Sequence, residues 1–404
     1  MFLSKQGRFN MEPNHPFFAL LRASLWGHAF SPDPDTDISS LYKELRAHAI
    51  ANLAADTLAE ADPENRLLYA QTAAKGYRHW YGLMQVQQDC FRVLEGARIP
   101  CCVLKGAAAA IYYPQPMNRT MGDIDLLVQP KDIDRAVALL LEDGCTLLDD
   151  RNPRHTILTK NKIHIEVHRQ FATLDRIDRA RMMDDLLFSA LAQTSRQQIE
   201  GFEFTMLPPA ENGFVLMEHI NSHMASGLGL RQIIDWMYYV HQELDDNSWQ
   251  NVLCPVLSAA GLKKLAVTVT RMCQIYLGLR EDITWCQEAD DALCHKLMAH
   301  TLMQGNFGRK QNQTLQGTMR VLNALDSDLN FFQLLHRHGC YNWKAVRKHP
   351  WLKPFAWIYQ LCRYIRKAFR NGLPIGTLRK ASRQQKKNTD LLDALEVMRK
   401  DPTL

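Results

Sequence analysis

The chain has little of what builds a disulfide framework, a zinc ribbon or a membrane span. Its 10 cysteines include no Cys-x-x-Cys pair and keep no regular spacing, which argues against structural zinc and against a disulfide-stapled fold. Cys101 and Cys102 are neighbours on a strand-like run, where successive side chains face opposite ways and do not bridge. No window reaches the roughly 18 uncharged apolar residues that a transmembrane helix needs. The opening MFLSKQGRFNMEPNHPFF lacks the continuous apolar core of a secretory signal. A soluble protein in a reducing cytoplasm is the expectation. No repeat of fixed period is present. One further absence is local: residues 341 to 389 contain no Asp or Glu but hold thirteen Lys or Arg.

That local absence reshapes the charge balance. The whole chain carries 48 basic and 43 acidic residues, for a net charge of +5. Outside the basic block, 35 basic residues face 43 acidic ones, so the remainder is acidic. A single block with the entire basic excess points to a local anionic partner. With 404 residues, 46% of them hydrophobic, the chain can bury a large core in about two or three domains.

The apolar pattern changes period along the chain. ISSLYKELRAHAIANLAADTLAEA (38–61) and the run from 64 to 97 have helical spacing, with Pro63 ahead of the second start. CCVLK (101–105) is a short strand that stops at Gly106, and AAAAIYY (107–113) a short helix stopped by Pro114. DIDLLV (123–128) is a second strand, residues 130–144 a helix, and CTLLD (145–149) a third strand. HTILTK (155–160) and KIHIEVH (162–168) flank Asn161 and alternate with period two, which predicts a hairpin. Helical patterns return after Pro208-Pro209. The expected class is α+β: a small mixed-sheet core, with strands near 101–105, 123–128 and 155–168, embedded in a mostly helical chain. The expected division is a helical region at 1–94, an α/β core at 95–205, a helical domain at 206–340 and a basic amphipathic region at 341–404.

Asp123 and Asp125 sit one residue apart in an otherwise apolar strand. Period-two alternation projects both to one face while Ile124, Leu126 and Val128 pack on the other. The same rule puts His164, Glu166 and His168 together, opposite Ile163, Ile165 and Val167. If the two strands are neighbours, three carboxylates converge on a hard-oxygen site suited to Mg²⁺ and phosphate oxygens. Upstream, LKGAAAA is a strand that turns at Gly106 straight into a helix, presenting backbone N–H groups to an anion. Lys105 and Arg119 are candidate phosphate contacts. His164 and His168 can touch substrate or hydrogen-bond a carboxylate. His219 and His223, four apart on a helix, have metal-ligand spacing without an evident third ligand. Arg231 and Asp235 are also four apart, and either form an intrahelical ion pair or line the cleft opposite the carboxylates.

The succession VLKGAAAA, DIDLLV and HIEVH resembles the polymerase β-type nucleotidyltransferase superfamily. Its pattern is a strand leading to a Gly-Gly/Ser turn, an Asp-x-Asp/Glu strand and a third acidic strand. More narrowly, LKG followed by YPQPMNRTMGDIDLLV, and the later LMEHINSHMASGLGLRQIIDW, are similar to a bacterial family known as uncharacterised nucleotidyltransferases. The resemblance extends to about residue 240. It implies that Asp123 and Asp125 hold a pair of Mg²⁺ ions, or Mn²⁺, bridging the phosphates of a nucleoside triphosphate such as ATP. Glu166 would complete the metal site and help deprotonate an acceptor hydroxyl, and Gly106 and Ala107 would sit against the triphosphate. Two features depart from the pattern: Ala107 stands where the superfamily often has Gly or Ser, and the spacing from Gly106 to Asp123 is long.

The basic, aromatic stretch WLKPFAWIYQLCRYIRKAFRNGLP (351–374) suits an anionic membrane surface, engaged through residues 351–387 on its cytoplasmic side. Nucleic acid is the weaker alternative, because the aromatics fall at helical intervals beside Leu and Ile. The expected activity is transfer of a nucleoside monophosphate to an unidentified acceptor hydroxyl. The competing expectations are a non-catalytic scaffold of the same fold at a membrane surface in a surface-polymer pathway, and a toxin-like enzyme that nucleotidylates RNA or protein.

Overall fold

Helix starts and stops are written locally. Pro16 opens α1 (Pro16–Trp26), where the His15 side chain accepts from Phe17 N–H, and Gly27 closes it in the left-handed conformation. Asp37 caps α2 (Ile38–Ala47) by accepting from Ser40 N–H at 2.9 Å. After α3 (Ala55–Ala61) comes the 31-residue α4 (Arg66–Gly96). From Trp80 onward its buried positions (Leu83, Met84, Val86, Gln87, Cys90, Phe91, Leu94) recur mostly three and four apart, one stripe aimed at the core. The computed structural model describes residues 12–306 apart from 151, 153, 174–176, 225 and 226, with scattered positions between 332 and 349, then 350–370 and 390–397. The part of the basic stretch from 371 to 389 lies outside the described residues.

The strands then follow: β1 (Cys101–Leu104), the short helix α5 (Gly106–Ala110), β2 (Asp123–Val128), α6 (Ile133–Glu142), β3 (Thr146–Asp149), β4 (His155–Lys160) and β5 (Ile163–His168). They form one mixed sheet in the order β1-β2-β5-β4-β3. Only β2 and β5 run parallel, joined by the crossover through α6, β3 and β4. Asn161 and Lys162, at φ 53° and 66°, turn β4 into β5 with both central residues left-handed, the geometry that matches strand twist.

One sheet face packs on helix. Ile124, Ile163, Ile165 and Val167 are buried, and Ile163 reaches α4 at Gly82. The opposite face carries the polar residues. After α7 (Ile177–Ala190), a second hairpin of β6 (Ser195–Ile199) and β7 (Phe202–Met206) leans on β1 through a Thr205 hydroxyl bond to Cys101 O of 2.6 Å. The helices α8 (Pro209–Met224) and α9 (Leu230–Glu243) follow. Every residue of α9 from Leu230 to Val240 is buried, so it is a central helix whose polar side chains need partners. Further helices span Cys254–Ala260, Lys263–Leu277, Asp291–Gln304 and Ala356–Arg370. Buried apolar residues from Phe17 to Val397 form one continuous cluster. The class is α+β, a small mixed sheet within a largely helical chain, as the period changes predict.

Candidate active site

The site is assembled at the junction of β1, β2 and β5. Leu104 pairs with Asp125, so the chain leaves the sheet directly beside that carboxylate. There Lys105 adopts φ 54°, ψ −136°, and Gly106 follows at φ 42°. A lysine in that region is strained backbone, found where the surroundings impose it. The turn brings Lys105 Nζ to 2.9 Å from Asp125 Oδ1 and 5.7 Å above the centre of the Phe171 ring. Gly106 and Ala107 are fully buried at the foot of the turn, and α5 is only five residues long, shorter than the run of alanines and aromatics suggests.

Parallel pairing sets the carboxylates. Asp123 lies opposite His164 and Asp125 opposite Glu166, which puts all four side chains on one face. One carboxylate oxygen from each of Asp123, Asp125 and Glu166 falls within 4.8 Å of the others. His168 Nε2 stands 2.9 Å from Asp125 Oδ1 and 3.4 Å from Glu166 Oε2, and its Nδ1 is 3.4 Å from Gln170 O. The Lys105 ammonium and the His168 ring therefore bracket Asp125, while His164 is exposed at the rim.

The charges sort the carboxylates by environment. Burial opposes ionisation of Asp125, but Lys105 and the His168 hydrogen bond outweigh it and hold its pKa well below the usual range. For Asp123 the Asp125 charge and then burial push the pKa up, against the pull of Lys105. Glu166 is desolvated too, yet the His168 bond brings its pKa down. The repulsion left on Asp123 is what a bound cation relieves. Three carboxylate oxygens at this separation fit a hard divalent cation.

Sequence reasoning missed His155. It pairs across the hairpin with His168, and its Nδ1 lies 3.6 Å from Glu166 Oε2. Asn152 accepts from Arg154 N–H through Oδ1 and turns its amide toward His155 Nε2 at 3.0 Å, which leaves the Nδ1 proton facing Glu166. A two-residue turn at Asn161-Lys162 makes this pairing arithmetic, so the signal was present in the hairpin pattern. Two buried acids were also missed. Asp184 accepts from Phe171 and Ala172 N–H at 2.8 and 2.9 Å, and Glu218 from Thr173 N–H at 2.6 Å. They hold the chain as it leaves β5.

Arg119 and Asp235 differ from expectation. Arg119 is 3% exposed and spends both Nε and Nη2 on Asp235, at 2.8 and 2.7 Å, while Tyr113 donates to the same carboxylate at 2.7 Å. The guanidinium is a buried strut in this structure, not an outward phosphate contact, and Asp235 faces it and not the cleft. Arg231 Nη1 donates to Thr120 O at 2.9 Å. Thus α9 grips the segment just before β2 at two adjacent residues and so fixes where Asp123 begins. His219 and His223 pack edge to face at 4.8 Å. Burial and then the charge of Lys105 push both down, His223 to about 3, and no third ligand joins them among the described residues.

The sequence pattern of the family described as uncharacterised nucleotidyltransferase matches residues 34–278. The chain belongs to that family. The match takes in α4, the whole five-stranded sheet, α8 and α9, and the family supports a nucleotidyl transfer role. Among solved structures, the chain is similar to an antigenic nucleotidyltransferase-like protein from Paracoccidioides brasiliensis, at 16% identity and a TM-score of 0.32, over 49% of this chain and 93% of that one. A likeness at that score adds no argument. No curated protein matches the chain.

Proposed function

We propose that this nucleotidyltransferase moves a nucleoside monophosphate from a nucleoside triphosphate to an acceptor hydroxyl, with Asp123, Asp125 and Glu166 as its divalent-cation centre. The supporting observation is the parallel register that sets Asp125 opposite Glu166 and gathers three carboxylates beside the Lys105 turn. Mg²⁺ is the favoured ion for an all-oxygen set, and the neighbouring imidazoles leave Mn²⁺ as a good substitute. When bound, the cation neutralises charge on the phosphates.

The residues of the chain supply the rest. Lys105 Nζ, released from Asp125, binds a phosphate oxygen, while Gly106 and Ala107, buried beneath it and not in reach of a triphosphate, hold the turn that aims it. Glu166 Oε2 takes the proton of the acceptor hydroxyl. The acceptor oxygen bonds to the α-phosphorus as the α–β bridging bond breaks, and pyrophosphate leaves with that electron pair. Most of the rate gain then comes from positioning and charge compensation. ATP is the first triphosphate to test.

One observation favours a second reading, a binding module that keeps the fold without catalysis. Lys105 and His168 already compensate Asp125. Incubation of the protein with each α-labelled triphosphate, Mg²⁺ and cell extract separates the two. Label transfer that disappears in Asp125→Asn supports the enzyme. Nucleotide binding without transfer in any extract overturns it in favour of the module.

A further inference from the structure

The helix Ala356–Arg370 packs one side inward and leaves the other, with apolar side chains on it, in water. Ala356 and Gln360 are 0% and 2% exposed. A Cβ added to Gly339 would stand 1.8 Å from Ala356 O, so the two backbones touch there. Tyr359 stacks on Trp343 with centroids 5.0 Å apart, and Trp357 meets Phe332 edge-on. Turned away from this contact are Trp351, Phe355 and Ile358, at 69%, 50% and 41% exposed, and the exposed Cys362. Phe355, Ile358 and Cys362 are spaced three and four apart, one stripe along the surface.

Trp351 and Phe355, in the short 3-10 segment Pro350–Phe355, and Ile358, in the first turn of the helix, thus leave three large apolar side chains in water close together. Beside the stripe, Lys353, Arg363 and Arg366 are exposed, and the surrounding residues 341–389 hold no acidic side chain. No helix among the described residues is long and apolar enough to cross a membrane. An apolar stripe edged by cations, with Trp at one end, has the chemistry of a helix lying in the headgroup layer of an anionic bilayer.

We infer that Trp351, Phe355, Ile358 and Cys362, with Lys353, Arg363 and Arg366, form a docking surface for an anionic phospholipid membrane. The apolar side chains enter the acyl boundary and the cations stay among the headgroups. The inference stands apart from the carboxylate site, so its failure leaves nucleotidyl transfer untouched. A single-stranded nucleic acid would need aromatic faces set in a basic groove for stacking, whereas here an aliphatic residue continues the aromatic stripe.

Flotation of the full-length protein with vesicles tests the surface, using phosphatidylcholine alone and phosphatidylcholine mixed with phosphatidylglycerol. Association with the anionic vesicles only, weakened by salt, is expected. Each Arg→Glu change at 363 or 366 should lower partitioning at least about five-fold. Phe355→Ser with Ile358→Ser should lower it at least about ten-fold with the thermal unfolding profile unchanged. No flotation at low salt overturns the inference. So does flotation that the Phe355/Ile358 change leaves intact, since binding would then be diffuse electrostatics. Binding of single-stranded RNA that excludes vesicles also overturns it.

Discussion

Arg119 reaches 116 residues along the chain to Asp235 and holds it by two parallel hydrogen bonds, inside a site where neither side chain is more than 3% exposed. The pair ties the segment before β2 to the central helix. Removing one partner leaves a desolvated charge, so Asp235→Ala should cost about 3–5 kcal/mol of stability. Arg119→Lys should also be costly, because an ammonium cannot reproduce the planar two-point grip. Denaturant unfolding measures both, and a loss under about 1 kcal/mol would show that the pair is solvated.

Divalent cation should stabilise the fold through the carboxylates. A ligand at about a hundred times its dissociation constant adds about 2.7 kcal/mol. Titrating Mg²⁺ or Mn²⁺ into the wild type should raise the melting temperature, and Asp125→Asn should abolish the rise. An equal rise in that variant would place the ion elsewhere.

Lys105 offers a test of backbone strain separate from charge. Both Lys105→Ala and Lys105→Gly remove the ammonium beside Asp125, but only glycine is at ease at φ 54°. Lys105→Gly should therefore be the more stable variant by about 1 kcal/mol, with triphosphate affinity reduced alike in both. Equal stabilities would mean that the turn relaxes once the side chain is gone.

His48 should give the protein an acid-sensitive step. It is fully buried, accepts from Leu230 N–H through Nδ1 at 3.3 Å, and burial lowers its pKa to about 3. The unfolded chain takes up a proton near pH 6.5 that the native state refuses. Its contribution is thus complete above that pH and is lost as pH falls toward 3, at up to about 1.4 kcal/mol per pH unit. His48→Asn should flatten the stability profile between those limits by about one proton. An unchanged slope would assign the acid sensitivity to other groups.

The carboxylate face was legible in part because strand alternation is a short-range rule: Asp123 and Asp125 share a face of their strand, and Glu166 shares one with His164 and His168, whatever the rest of the fold does. Their convergence needed one more fact, the parallel β2–β5 register, which the structure supplies and local pattern does not. His155 could have been found from the two-residue turn. Arg119 could not. The local rule offered Arg231, four residues away, as the partner of Asp235, and nothing in the sequence signals a contact made across more than a hundred residues. Likewise the amphipathic pattern of the C-terminal helix was visible, while the side it turns inward is decided by Gly339 and Trp343, whose proximity is tertiary.

Residues beyond the basic stretch are packed on the body of the protein. Leu391, Leu395 and Val397 join the same apolar cluster as Phe17, and Glu396 lies 3.3 Å from Lys264 on a helix of the body. A deletion that trims the chain ahead of residue 390 would therefore pull a plug from the core as well as removing the cations. Such a shortened protein would confuse poor folding with lost lipid affinity, so the terminal helix has to be dissected by single exchanges within the intact chain.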